Sequence, residues 1–223
     1  MMSLLLLLAS ATSFAPTGEL PPLVQVFTPG EAGISCWRIP AVVQSQKVLI
    51  AFAEARISSC TDNTEKMMGM KRSTDRGTTW SAARFIVKKG LNGTWNNSVW
   101  NPEPVVDEAT GTVVLAFLIN RYNCLSPSVH CAAFTITSHD TGLSWGFPQP
   151  LAPALGSFAN GVRPGPGLAL QLDVGPHAGR LLWSGSYDQI PKKLDERTVD
   201  IIWYRFPLPC MLQPRLQQLS VSS

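Results

Sequence analysis

The amino-acid sequence predicts an all-β protein, and three observations lead to this fold class. Charged residues make up only 15% of the 223 positions, whereas glycine and proline contribute 17 and 18 residues, a balance typical of short strands joined by turns. Strand-like apolar runs recur along most of the chain, and none has the sustained period of about 3.6 residues expected of a long helix. An eight-residue turn motif occurs twice, which indicates repeated structural units.

The predicted strands are short runs rich in Val, Ile, Leu and Phe, each bounded by Gly, Pro, Asn or Asp, as antiparallel strands joined by turns should be. They are LVQVF (23–27), KVLIAFAEA (47–55), KMMGMKRS (66–73), RFIVK (84–88), TVVLAFLIN (112–120), VHCAAFTITS (129–138), GLALQLD (167–173), GRLLWSGSY (179–187) and VDIIWYR (199–205). No clear linker divides this part of the chain into two domains.

The turn motif is STDRGTTW at 73–80 and SHDTGLSW at 138–145. In such a turn the aspartate accepts hydrogen bonds from backbone N–H groups, the glycine adopts a positive φ, and the tryptophan covers the hairpin with apolar surface. The aspartates have equivalent surroundings, so they would not acquire the separate pKa values that an acid and a base need, and we expect them to be structural. The positions that match are Ser73, Asp75, Gly77 and Trp80 in the first copy and Ser138, Asp140, Gly142 and Trp145 in the second.

The N-terminal segment indicates a secretory route. Residues 1–15 combine a leucine run, too short to span a bilayer, with small residues, as a signal peptide does, and cleavage is expected after Ser13 or, less favourably, after Ala15. The alternative is a disordered extension. Asn92 and Asn96 begin glycosylation sequons in a stretch rich in Gly and Asn. The formal net charge of +3 is too small to indicate a nucleic acid or an anionic membrane as a partner.

The five cysteines lie at positions 36, 60, 124, 131 and 210 and lack the CxxC spacing of metal sites. Cys124 and Cys131 flank a short polar loop between two strand-like runs, so they form the most plausible disulfide in an oxidising compartment. The alternative is that all five are buried or free thiols. We expect no metal and no cofactor, because the sequence shows no cluster of metal ligands.

The order of several motifs resembles the sialidase family. They are CWRIPAVV (36–43), AFAEAR (51–56), the first Asp-box turn, NPEPVVDEATGTVVLAF (101–117), the second Asp-box turn and RPGPGLALQL (163–172). The resemblance runs from about Phe27 to Trp183 and is closest to the lysosomal type. It implies a six-bladed β-propeller, present here as about its first three blades over residues 16–205, followed by a tail at 206–223 without a blade pattern. An open set of three blades is expected to leave apolar runs such as TVVLAFLIN exposed.

The resemblance also implies site residues. Arg38 matches the first arginine of the triad that holds the sialic acid carboxylate, and guanidinium suits that task because its planar donors meet both oxygens. Arg56 matches an accessory arginine of the same pocket, although a peripheral salt bridge is an alternative role. Asp62 matches the general acid/base, with Glu65 as the rival carboxylate. Asn101 matches a polar residue at the pocket edge.

Sialidases use a tyrosine activated by a glutamate as nucleophile, because the substrate carboxylate at the anomeric carbon repels an anionic one. No residue of this chain matches that tyrosine, the glutamate or the other two triad arginines. The resemblance therefore implies a retaining exo-α-sialidase of the lysosomal or secreted route, acting on sialylated glycoproteins, glycolipids and oligosaccharides, but catalytically incomplete in this chain. The alternatives are a non-catalytic module that binds glycans or a partner, and an unrelated Asp-box propeller.

Overall fold

The computed structural model describes residues 23–87, 98–120, 132–151, 162–187 and 199–204. Within these ranges the protein is all-β, as predicted, and its helical content is a single 3-10 turn at Glu31–Gly33. Five predicted features lie outside the described residues: the signal peptide, both sequons, the Cys124–Cys131 pair, Cys210 and the C-terminal tail.

The strands form three four-stranded antiparallel sheets that follow one another along the chain. The first sheet contains β1 (Cys36–Ser45), β2 (Val48–Arg56), β3 (Lys66–Ser73) and β4 (Arg84–Val87). The second contains β5 (Ser98–Asp107), β6 (Thr112–Asn120), β7 (Ala132–Ser138) and β8 (Gln149–Pro150). The third contains β9 (Val162–Pro164), β10 (Leu170–Gln171), β11 (Leu181–Tyr187) and β12 (Val199–Tyr204). In the first two sheets each strand pairs with the next, which is the up-and-down order of a propeller blade.

The third sheet differs at its first strand. Both β9 and β10 pair with β11, β9 at Gly185–Tyr187 and β10 at Leu181–Leu182, so together they occupy the place of one strand. The interruption falls at Gly165-Pro166-Gly167, where Gly167 has a φ of 151°. The predicted strand at 167–173 is therefore wrong in length, because it is reduced to Leu170–Gln171.

The hydrophobic core lies between the sheets. One face of β6 packs against the first sheet in a cluster that includes Ile50, Phe52, Val113, Leu115 and Phe117. The other face packs against the third sheet in a second cluster, formed by Val105, Val114, Ala116, Leu181 and Trp183. The expectation that TVVLAFLIN would be exposed is wrong, because the middle sheet has a neighbour on each side and Val113–Leu118 are essentially inaccessible to solvent.

The run LVQVF, predicted as a strand, is not one in the structure. Leu23 and Val24 are exposed, whereas Phe27, at the end of the run, packs against the first sheet. Phe27 stacks on Trp37, with 4.7 Å between the ring centroids, and Trp37 stacks in turn on Phe85 of β4. Trp37 lies so close to Gly69 of β3 that a Cβ atom there would fall 2.3 Å from the indole ring, so glycine is needed at this position. The aromatic stack covers the face of the first sheet that points away from the second.

The serine, aspartate and glycine of both Asp-box turns make the same hydrogen bonds. Asp75 accepts the backbone N–H of Thr79 at 2.9 Å, and Asp140 accepts that of Ser144 at the same distance. Ser73 and Ser138 each donate to the following aspartate and accept the N–H of the glycine. Gly77 and Gly142 have φ values of 88° and 84°, the left-handed region that glycine tolerates best.

The second turn also joins two sheets. Arg72 of β3 donates through Nε to the carbonyl of Thr141 at 2.8 Å, and Arg84 of β4 donates to the carbonyl of Leu143 at 3.0 Å. A Cβ atom at Gly142 would lie 3.2 Å from Ile50 of the first sheet. Trp145 packs edge-on against Phe52, with the ring centroids 5.8 Å apart. The second Asp box is therefore part of the contact between the first and second sheets.

Candidate active site

The first strands of the first two sheets share a local distortion. The pairing of β1 with β2 shifts register between Arg38 and Ala41, and that of β5 with β6 shifts between Trp100 and Glu103. Each shift contains a residue with positive φ followed by proline: Ile39, at 54°, and Asn101, at 53°. A β-bulge bends the strand and redirects the neighbouring side chain, and proline withholds the N–H that regular pairing would use. Asn101 is itself a residue that the family resemblance marks as functional, and Ile39 directly follows Arg38, which the resemblance also marks.

Arg38 and Asp62 face each other across the open end of the first sheet. Arg38 precedes the bulge in β1, and Asp62 lies in the loop that joins β2 to β3. The Arg38 Nη1 atom is 3.4 Å from Asp62 Oδ1 and 3.2 Å from the carbonyl oxygen of Cys60. Both side chains remain accessible, at 46% for Arg38 and 54% for Asp62, so a ligand can reach either group from solvent.

Arg56 lies beneath this pair and is fully buried. Its Nε and Nη2 atoms donate to Glu54 Oε2 at 3.0 and 2.7 Å, in an ion pair whose side chains are 1% and 0% exposed. The same Nη2 lies 2.8 Å from Asp62 Oδ1, and Nη1 donates to the Cys60 carbonyl at 2.6 Å. Each guanidinium nitrogen therefore has a protein partner. In this arrangement Arg56 orients Asp62 from below, while Arg38 keeps donors toward solvent.

Glu54 also connects the site to the second sheet. Its Oε1 atom accepts the backbone N–H of Asn101 at 3.0 Å. The Asn101 side chain donates to the carbonyl of Pro164 at 3.1 Å, so Asn101 ties the second sheet to the third. The buried carboxylate of Glu54 and the bulge at Asn101 thus fix the position of the first sheet relative to its neighbour.

Lys66 holds the end of the Asp62 loop. Its Nζ atom donates to the Asp62 carbonyl at 2.5 Å and lies 3.2 Å from the centroid of the Trp100 ring, a cation–π contact. The loop is further attached by the Cys36–Cys60 disulfide. Desolvation lowers the pKa of Lys66 to about 8, which still leaves the ammonium group protonated at acidic and neutral pH.

The local charges favour an anion. Arg38, Arg56 and Lys66 are positive, whereas Glu54 and Asp62 are the carboxylates in contact with them, so the cluster carries excess positive charge. Hydrogen bonding from Arg56, helped by the charges of Arg56, Arg38 and Lys66, holds the pKa of Asp62 below its usual value despite the opposing effect of desolvation. Without a ligand, Asp62 is therefore ionised in mildly acidic solution.

Glu103 is a second buried carboxylate, on β5 just after the bulge. Its Oε1 atom accepts the backbone N–H and the hydroxyl of Ser184 at 3.0 and 2.9 Å, and its backbone carbonyl accepts Trp183 Nε1 at 3.1 Å. Among the described residues, no donor lies within hydrogen-bonding distance of Oε2. Desolvation raises the pKa of Glu103 to about 7, against the opposing effect of the hydrogen bonds from Ser184.

Of the residues that the resemblance implies, the structure brings Arg38, Arg56 and Asp62 into direct contact. Asn101 joins them only through its backbone, by way of Glu54. The sequence analysis did not identify Glu54, Lys66 or the Cys36–Cys60 bridge. Two signals were available. Glu54 and Arg56 are two positions apart on a strand and therefore share one face of the sheet, and each cysteine is two positions before a predicted site residue. The described residues contain no group of three or more metal-binding side chains and no helix that could cross a membrane.

Comparison with known proteins identifies the relatives of this chain. The family described as "BNR repeat-like domain" matches residues 33–215. Sialidase-2 of Cricetulus griseus is 31% identical over 169 residues, which cover 68% of this chain and 43% of that protein. Sialidase-2 of Rattus norvegicus is 29% identical over 145 residues, covering 60% of this chain and 37% of that protein. The chain therefore spans less than half the length of these curated relatives.

Solved structures have the same fold. The NanB sialidase of Streptococcus pneumoniae superimposes with a TM-score of 0.68 at 13% identity, over 91% of this chain and 47% of that one. The Hadza microbial sialidase Hz136 gives a TM-score of 0.66 at 24% identity, over 78% of this chain and 36% of that one. At these identities the likeness shows the fold, and the three sheets described above correspond to blades of a sialidase-type propeller.

Proposed function

We propose that this chain carries the carboxylate-binding and acid/base part of an exo-α-sialidase site. The chain belongs to the BNR repeat-like domain family and, within it, to the sialidases. In a full-length protein that contains the nucleophile, this site removes terminal sialic acids from glycoproteins, glycolipids and oligosaccharides with retention of configuration. The proposal depends above all on one observation, the solvent-accessible pair formed by Arg38 and Asp62.

The positive excess around this pair supports recognition of an anionic sugar. Arg38 directs accessible donors to solvent, and a carboxylate can accept two of them at once. A carboxylate bound there competes with Asp62 for Arg38, because both groups need the same guanidinium. The buried Glu54–Arg56 pair stays in place, so it keeps Asp62 oriented while Arg38 engages the ligand.

This competition supports a general-acid role for Asp62. In the free site the arginines hold the pKa of Asp62 low, which favours the carboxylate form. A substrate carboxylate that takes over Arg38 adds negative charge beside Asp62 and removes part of its stabilisation, so the pKa of Asp62 rises. Asp62 can then protonate the leaving glycosidic oxygen and, as the carboxylate, later accept a proton from the attacking water.

We also propose that the protein works in an acidic, oxidising compartment of the secretory route. The Cys36–Cys60 bridge supports oxidising conditions, because disulfides persist mainly in secreted and lumenal proteins. The raised pKa of Glu103 supports acidic conditions, because the buried carboxyl group is most stable in its neutral form. The predicted signal peptide at 1–15 belongs to the same proposal.

Hydrolysis of a fluorogenic sialoside at mildly acidic pH tests the function in a full-length version of the protein. Asp62→Asn retains the shape of the side chain but cannot donate or accept the proton, so we expect turnover to fall by roughly 10²–10⁴-fold. Asp173→Asn, which changes an exposed carboxylate in the connection after β10, is the matched control and should behave as the wild type. Equal turnover in both variants would remove Asp62 from the mechanism, whereas sialoside binding without turnover by the wild type would favour a non-catalytic module.

A further inference from the structure

One disulfide bridge connects the strand that carries Arg38 to the loop that carries Asp62. Cys36 begins β1 and Cys60 lies in the loop between β2 and β3, with their Cα atoms 5.2 Å apart. Each cysteine is two positions before one member of the Arg38–Asp62 pair. The bridge therefore limits the separation of the two segments at the place where the pair is formed.

The backbone of the loop is held at the same point by hydrogen bonds. The Cys60 carbonyl accepts both Arg38 Nη1 and Arg56 Nη1, at 3.2 and 2.6 Å. A carbonyl oxygen has two lone pairs and can accept both donors, and the disulfide restrains the residue to which this carbonyl belongs. Other contacts hold the ends of the loop: Ile57 donates to the Glu65 carbonyl, Ser58 contacts Thr64, and the Thr64 carbonyl accepts the hydroxyl of Ser98.

The tip of the loop depends on this attachment. Thr61 and Asp62 are exposed and Ser59 is half-buried, and the hydrogen bond between Ser59 and Thr61 stays within the tip. Lys66 holds the Asp62 carbonyl but does not restrain Cys60 or the segment before it. Without the bridge, the tip of the loop would depend on the Arg38–Asp62 ion pair, which is exposed and therefore weak, on the contact of Asp62 with the buried Arg56, and on the Lys66 bond to the Asp62 carbonyl.

We propose that the Cys36–Cys60 disulfide is a positioning device for the acid/base, which holds the loop 57–65 so that Asp62 stays on Arg38 and Arg56. The inference rests on the proposed function for the meaning of Asp62, but the clamp itself is a physical property of the chain. Asp62 is thereby placed in advance of substrate binding, which reduces the ordering cost that a catalytic loop would otherwise impose.

The test compares the whole chain with the double variant Cys36→Ser/Cys60→Ser by hydrogen–deuterium exchange and by NMR titration of the Asp62 carboxyl carbon. In the variant we expect amide exchange in 57–65 to accelerate at least about tenfold, with β2 and β3 protected as before. The pKa of Asp62 should rise toward its ordinary value, because the carboxylate leaves Arg56, Arg38 and Lys66 for part of the time. Cys210→Ser, which removes a different thiol, is the matched control and should change neither quantity.

Unchanged exchange and an unchanged pKa of Asp62 in the double variant would overturn the proposal. If the variant does not fold, the same measurements are made on the wild type during mild reduction with dithiothreitol, which can reach the exposed Cys60. Loss of protection throughout the three sheets under reduction would also overturn it, because the bridge would then support the whole fold instead of the loop. Neither readout involves hydrolysis, so failure of the sialidase assignment would leave the result for the clamp unaffected.

Discussion

Arg38 and Arg56 both contact Asp62, but Arg38 is open to solvent and Arg56 is buried. The difference follows from burial: Arg38 is 46% exposed and Arg56 only 1%. The carboxylate of Glu54 occupies two donors of Arg56, and the Cys60 carbonyl occupies a third. Residue type alone would make the two arginines equivalent, but their surroundings assign them to different tasks.

The Arg38→Lys substitution tests the ligand-contact role. Lysine retains the charge but loses the planar pair of donors, so the bound carboxylate loses one charge-assisted hydrogen bond, worth about 1.5–3 kcal/mol. We expect kcat/KM for sialoside hydrolysis by a full-length version to fall by roughly 10–100-fold. Arg76→Lys, in the first Asp-box turn, is the control, and equal kinetic constants for Arg38→Lys and the wild type would refute the assignment.

Glu103 makes the stability of the protein depend on pH. Its pKa is raised from 4.5 to about 7 in the folded chain, so the folded state binds more protons than the unfolded state between these values. The stabilisation is complete below about pH 4.5 and is lost as the pH rises through 7, by an amount on the order of 3 kcal/mol.

In Glu103→Gln we expect this part of the pH dependence to disappear, since the amide stays neutral and its oxygen can still accept from Ser184. Chemical denaturation at pH 5 and pH 7.5 measures the difference. Glu108→Gln, on the exposed turn after β5, should keep the wild-type slope. A Glu103→Gln protein that loses stability with rising pH as steeply as the wild type would show that another group titrates.

At the scale of elements, the two Asp-box turns are alike internally but differ in their surroundings. Only the second is held by Arg72 and Arg84 of the preceding sheet, and only its tryptophan packs on Phe52. Hydrogen bonding from Thr79 and from Ser144 lowers the pKa of Asp75 and of Asp140 to about 2. Both turns should therefore weaken as the pH falls through 2.

Asp75→Ala and Asp140→Ala should each reduce stability without a direct effect on catalysis, because each turn loses the carboxylate that accepts a backbone N–H. We expect Tm to fall by about 5 °C for Asp75→Ala and by more for Asp140→Ala, since the second turn also joins two sheets. Thermal unfolding followed by circular dichroism measures the shifts, with Asp173→Ala as control. Loss of turnover in a full-length version at unchanged Tm would instead indicate a catalytic role.

Sequence patterns predicted most elements well where local rules decide. The strands at 66–73 and 112–120 have the predicted bounds, because turn residues flank each of these runs. LVQVF is also rich in apolar residues, but it does not form a strand, and Phe27 packs on Trp37 instead. The candidate acid and two arginines could be named from their motifs. Glu54, Lys66 and the Cys36–Cys60 bridge were missed, because their contacts with Asn101, with Trp100 and with each other join segments that are distant in the sequence.

For the molecule as a whole, the sheets form a packed array in which the middle sheet is covered on both faces. This arrangement supports folding of the chain more than the sequence suggested. We expect residues 14–223 to release little or no fluorophore from a sialoside at mildly acidic pH, because the resemblance assigns the family's tyrosine, glutamate and other triad arginines to none of these residues. Turnover above a vector-only control and abolished by Asp62→Ala would contradict this and would indicate another nucleophile, such as Tyr187.

The meander order of the strands has a consequence for synthesis on the ribosome. Each sheet uses a continuous stretch of chain, so its partners emerge one after another and the first sheet can form while the rest is still being made. Cys36 and Cys60 are 24 positions apart and both belong to this first stretch, so they can pair before β5 exists. The disulfide can therefore fix the Asp62 loop early in synthesis, whereas the second face of β6 is covered only after the third sheet has been made.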